Sequence, residues 1–192
     1  MPKGKAFRAQ EQLRSLLSGG DRRSIAQSAR VLKLVREDPA SISQLAQLAC
    51  DEEWLVSMRA MDLLEKLAHE NAEWVEPHRH LFIGPLADSP QWEIRLQVVR
   101  ALPLFSWSPA EQRRAVEILL RDAEHPQKFV RSWAVNSLAS FAENDATLLP
   151  LVRRFLSRME RSGSKALMSR ARQIRERMET KLAAVTNSRQ KA

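Results

Sequence analysis

The sequence predicts an all-α protein of about five antiparallel helix pairs stacked side by side. Three observations carry that expectation. Apolar residues make up 44% of 192, against five glycines, no tyrosine and few runs of β-branched residues, a composition that disfavours sheet. Helical periodicity is broken at short, regularly spaced turn signals. One amphipathic pattern also recurs: Ile94, Arg95, Val98, Leu102 and Phe105 hold the places that Val130, Arg131, Ala134, Leu138 and Phe141 hold 36 residues later.

Taken in order, Gly19-Gly20-Asp21 separates a helix at 5–18 from one at 21–37, and Asp38-Pro39 closes the pair. The second pair, 40–50 and 53–70, is divided at Asp51-Glu52 and opens on a weak capping box, Ser41 with Gln44. The third, 74–87 and 91–105, turns at Ser89-Pro90. Ser108-Pro109-Ala110-Glu111 is a capping box with proline at the first helical position. It opens 109–123, which His125-Pro126 divides from 127–143. After Asn144-Asp145 come 146–161 and 165–184, joined at Ser162-Gly163-Ser164. The second helices begin about 32 to 38 residues apart, the period of a helical solenoid. Val56, Ala60, Leu64 and Leu67 carry the stripe one repeat further back, and the first and last pairs match poorly, as capping repeats do. These pairs (5–37, 40–70, 74–105, 109–143, 146–184) form one expected domain over 1–185, with 186–192 a disordered tail.

The stretches LADSPQWEIRLQVVRAL (86–102) and LLRDAEHPQKFVRSWAVNSL (119–138), with LLPLVRRFL (148–156) as a first helix, resemble the HEAT-repeat family. Its pattern is a leucine-rich first helix, an aspartate at the turn, then Val/Ile-Arg and a leucine on the second helix. The resemblance implies a HEAT-like, armadillo-like solenoid, a right-handed α-α superhelix that most often serves as a scaffold or binding surface. More distantly, the repeats look like those of the HEAT-like DNA alkylation-repair glycosylases, which rely on paired tryptophans and a catalytic aspartate in a basic concave surface. Trp54, after Asp51-Glu52-Glu53, and Trp92, before Glu93, do not reproduce that motif. No catalytic residue is carried over.

Charge is unevenly spread. The net +8 resolves into +7 over 1–36, −2 over 37–50, −7 over 51–93, +1 over 94–145 and +9 over 146–192. A protein tracking phosphates along its whole length would not carry an acidic block in its second quarter. The single cysteine, Cys50, forms no internal disulfide and reads as a buried structural thiol. Without a signal-peptide pattern or a membrane-length apolar run, the expected location is cytoplasmic, away from membranes.

Catalytic chemistry finds little support. Phosphate-loop, dinucleotide and nucleophile-elbow glycine patterns are missing, and Ser162 to Lys165 matches Ser-x-x-Lys without its companion motifs. His69-Glu70 resembles the His-Glu pairs of HEAT-like di-iron hydroxylases, but it occurs once, and His78 and His80 point apart on a helix. No metal or other cofactor is expected.

The binding reading rests on the side of the second helices opposite the stripe. At 100° per residue it presents Met58, Met61, Asp62 and Glu65, then Leu96, Val99 and Arg100, then Val135 and Asn136. Two readings stand. These residues form an apolar concave strip for a partner segment with basic edges, or they fill seams between neighbouring second helices. Asp88 with Arg95 and Asp122 with Arg131 repeat as a turn acid and a helix arginine, which suits an inter-repeat structural ladder. Trp54 and Trp92 hold equivalent positions and serve as turn packing or as an aromatic surface; Trp133 reads as core and Trp107 as a staple. Arg170, Arg172 and Arg175 on the basic last helix are candidate phosphate contacts. The expectation is a non-catalytic, monomeric scaffold for a protein segment, with nucleic-acid binding through the basic ends or base-excision chemistry as alternatives.

Overall fold

The computed structural model describes the backbone of residues 3–189 and the side chains of residues 7–181. The described residues contain no strand, and the chain divides into two compact units, residues 1–111 and 112–192.

In the first unit, α1 (Lys3–Leu17), α2 (Ser28–Glu37), α3 (Ile42–Leu48) and α4 (Trp54–Glu70) make two helix pairs, and α7 (Trp92–Ala101) packs along α4. The repeated stripe is the core: Val56, Ala60, Leu64, Leu67, Val98 and Leu102 are fully buried, and Ile94 nearly so. Three expected helices differ, each for a local reason. The helix placed at 21–37 starts only at Ser28. Before it, Asp21 accepts from the amides of Arg23 and Ser24, and Gly19, Gly20 and Ala26 take positive φ, so these residues form a loop. The helix placed at 74–87 breaks into α5 (Ala72–Val75), a 3₁₀ turn at Glu76–His78 and α6 (His80–Ile83). Pro77 removes an amide and clashes with the preceding turn, and Gly84-Pro85 stops the segment. Pro103 ends α7 early in a 3₁₀ turn at Leu102–Leu104.

The second unit begins within α8 (Pro109–Asp122) and holds α9 (Lys128–Ala142), α10 (Leu149–Glu160) and α11 (Lys165–Arg189). α9 packs against both α10 and α11, burying Val130, Ala134, Leu138 and Phe141. The capping box at the start of α8 forms as expected: Ser108 N donates to Glu111 Oε2 at 3.0 Å and Glu111 N to Ser108 Oγ at 3.4 Å. α11 continues to Arg189, past the expected end at 184 and through most of the expected disordered tail; 190–192 lie outside the described residues. Cys50 corrects another expectation. It is exposed at the turn after α3, where the chain leaves the core face, and its desolvated thiol is pushed above the ordinary value.

Candidate functional site

The site begins with an arginine that the sequence reading passed over. Arg59 on α4 is 2% exposed and donates to the carbonyls of Leu17, Gly19, Asp21 and Ser24 at 2.5–2.9 Å. It therefore caps the carboxyl end of α1, where unsatisfied carbonyls and the helix dipole favour a cation, and fixes the loop that follows. That loop becomes one wall of a cleft of about 200 Å³ whose other wall is α4 and α7. Ile25, Met58, Trp92 and Leu96 supply its apolar lining, and Ile25 is 66% exposed. Arg22 crosses the rim, paired with Glu93 and 5.4 Å from the Trp92 ring centroid.

Only part of the expected concave strip reaches this cleft. Met58, Asp62 and Leu96 line it, whereas Met61 and Val99 are fully buried and Glu65 is 1% exposed. The strip reading is corrected for those three. α4 and α7 approach closely enough that residues between the stripe and the outer face fill their seam, the other reading the sequence left open. The acids are committed there too. Glu65 Oε1 lies 2.9 Å from both Arg100 Nη2 and His69 Nε2. Asp62 accepts from Lys66 at 2.6 Å and Gln97 at 3.2 Å, and Gln97 in turn accepts from Arg100 at 3.2 Å. Burial pushes the Glu65 carboxyl above its ordinary value despite the Arg100 and His69 side chains beside it. His69-Glu70 is likewise divided between two roles, since Glu70 accepts from Arg36. No cluster of metal-binding side chains occurs among the described residues.

In the second unit, Val135 is fully buried and Asn136 is held by α11, its side-chain oxygen accepting from Arg177 at 3.1 Å. Neither belongs to an open strip. Of the candidate phosphate contacts, Arg175 grips Glu160 at 2.9–3.1 Å, Arg170 lies 4.3 Å from the Trp133 ring centroid, and Arg172 is exposed. Trp133 is half-buried beneath that arginine rather than fully in the core. Trp54 and Trp92 are half-buried as well. Trp107 donates Nε1–H to Leu102 O at 2.8 Å and packs edge-on against Phe105.

Of the two expected ladder pairs, Asp122 and Arg131 do not meet. Asp88 is exposed and Arg95 half-buried; Asp122, fully buried, takes Arg121 at 3.0 Å, and Arg131 makes no side-chain bond to any described residue. Links between neighbouring repeats include Arg14 to Asp51 at 2.8 and 3.0 Å, Arg36 to Glu70 at 2.9 Å, Arg79 to Glu111 at 3.4 Å and Arg158 to Glu124 at 2.9 Å.

No family model matches the chain, and no curated protein is similar to it in sequence. Solved structures do match. One engineered protein superimposes with a TM-score of 0.61 at 17% identity, covering 90% of this chain and 80% of its own. A second gives 0.60 at 18%, covering 91% and 76%. A designed armadillo repeat protein in complex with the peptide (KR)4 gives 0.58 at 16%, covering 95% and 83%. The chain has an armadillo-like helical-repeat fold, as the sequence predicts. No helix among the described residues is long and apolar enough to cross a membrane.

Proposed function

We propose that the protein is a non-catalytic helical-repeat scaffold that holds a segment of a partner protein in the cleft between the α1–α2 loop and helices α4 and α7. The observation that carries this is the cleft itself: Ile25, Met58, Trp92 and Leu96 stay accessible where Met61, Val99 and Val135 are fully buried. A solvated helix face would be charged throughout; this one offers an apolar seat with Asp62 and Glu93 beside it. The fitting segment carries an aliphatic anchor flanked by bases, one of which competes with Arg22 for Glu93. The designed armadillo protein's basic peptide is consistent with this class of partner. Titrating the full chain with synthetic peptides alternating leucine and arginine, followed by Trp fluorescence, tests the reading. Saturable binding that weakens at least tenfold in Leu96→Glu supports it; binding indifferent to Leu96→Glu and Met58→Glu overturns it.

A second reading has its own observation. Residues 112–192 carry seventeen bases against eight acids, and Arg153, Arg161, Lys165 and Arg172 are exposed without an ion pair among the described residues. Nucleic-acid binding through this unit predicts a steep loss of affinity with salt, reduced by charge reversal at Arg153, Arg161 and Arg172. The glycosylase alternative has less to stand on, since Asp51 and Glu93 beside Trp54 and Trp92 are held by Arg14 and Arg22. Alkylated duplex DNA incubated with the protein should yield no abasic sites.

A further inference from the structure

The second unit holds a cavity of about 300 Å³. Its lining joins Val135, Phe155 and Met159, each no more than 4% exposed, to Arg131 and the Glu124–Arg158 pair. What sets the site apart is Arg131. A half-buried guanidinium has lost part of its hydration and needs an acceptor. The other buried or half-buried arginines among the described residues are all engaged: Arg14 by Asp51, Arg59 by four carbonyls, Arg79 by Glu111, Arg100 by Glu65, Arg175 by Glu160 and Arg177 by Asn136, with Arg95 and Arg170 also in contact. Arg131 is half-buried, makes no side-chain hydrogen bond or ion pair with any described residue, and has no nitrogen sealed inside the protein. It is one of the residues that line the cavity.

We propose that this cavity binds a small monocarboxylate with an apolar body, its carboxylate on the Arg131 guanidinium and its body over Phe155 and Met159. The charge count selects the anion. Arg158 is already neutralised by Glu124, so the rim offers one uncompensated positive charge, and the Glu124 carboxylate repels a phosphate dianion. The planar fork of Arg131 matches a carboxylate. A volume at the lower end for ligand sites limits the body to a short aliphatic or a single large side chain. Such a group occurs either as a free aliphatic acid or as the last residue of a peptide chain.

Calorimetry on the full chain distinguishes these sources with octanoate, with acetyl-Ala-Ala-Leu bearing a free carboxylate, and with the same tripeptide as its amide. One-to-one binding of an acid is expected, tenfold or more tighter than the amide, insensitive to inorganic phosphate, weakened about tenfold by Arg131→Met and partly restored in Arg131→Lys. Octanoate alone binding assigns a free acid; the tripeptide acid alone binding assigns a chain end. No binding of either acid at millimolar concentration, equal binding of the amide, or displacement by phosphate overturns the proposal, as does an Arg131→Met variant that binds unchanged. Should Arg131→Met fail to fold, the acid and amide compared on the unaltered chain decide the matter. This site is separate from the cleft of the first unit, so either can fail alone.

Discussion

Arg59 brings a full charge inside without an ion pair to any described residue, compensated by four carbonyls at the end of α1 and the loop beyond it. Replacing it with methionine keeps the stem but leaves buried acceptors without donors, so Arg59→Met should cost about 3 kcal/mol, read as a lower urea midpoint. Gly20→Ala should cost less but not be neutral, because Gly20 has φ +71° and an added Cβ would lie 2.9 Å from Ser24. Titrating groups shape the pH profile in two stages. Burial, with His80 nearby, holds His78 below its ordinary 6.5. As pH falls through 6.5 the unfolded chain takes up this proton before the folded one, and stability declines until the folded value is passed. Arg14 holds Asp51 below 3.8 and Arg36 holds Glu70 below 4.5. Their contribution is present above those values and lost as pH falls through the lower folded ones. Glu65 runs the other way: its raised value makes burial costly as pH rises past 4.5. Thermal melts from pH 7 to 3 should therefore show a shallow decline below about 6.5 that His78→Gln flattens, and a steeper acid limb that it leaves in place.

At the scale of elements, the seam between α4 and α7 decides which residues are available to a partner. Met61 is fully buried in it, so Met61→Ala should remove about 3 kcal/mol, whereas Leu96→Ala, on the accessible wall of the cleft, should cost about 1 kcal/mol or less. Chemical denaturation of both variants checks this; equal losses would mean that the cleft is part of the core. The same pair shows how much the sequence made legible. The stripe of Val56, Ile94 and Val130 could be read because a period of 36 to 38 residues cannot arise from a single amphipathic helix, and the capping box at Ser108 because its geometry is local. Whether Met61 or Met58 meets solvent depends on how closely a neighbouring helix packs, which no helical wheel contains. The Arg59 clamp was invisible for a different reason, since backbone carbonyls leave no residue signature. Pro77 lies inside the run that periodicity reads as one helix at 74–87, and its missing amide breaks that helix.

Across the whole molecule, the net +8 is not shared evenly. Residues 1–111 hold fourteen bases and fifteen acids, residues 112–192 seventeen and eight. In the first unit the basic N-terminal segment closes onto the acidic block through Arg14–Asp51, Arg22–Glu93 and Arg36–Glu70, so charges far apart in sequence cancel in space. These pairs sit at or near the surface, where each contributes roughly 0–1 kcal/mol and salt weakens it. In the second unit the acids Glu124, Glu143 and Glu160 are already paired, and the excess cations repel one another. Salt screens both effects over about 8–10 Å at moderate ionic strength, but with opposite consequences for stability. Hydrogen exchange read by mass spectrometry between low and high sodium chloride should show α10 and α11 gaining protection with salt, while α1 to α4 stay level or lose some. Trp133, the second unit's single tryptophan, offers a fluorescence check once the other four are replaced by phenylalanine. A loss of protection in α10 and α11 with rising salt would mean that their ion pairs outweigh the repulsion, and that the surplus cations lie too far apart to act as one electrostatic surface.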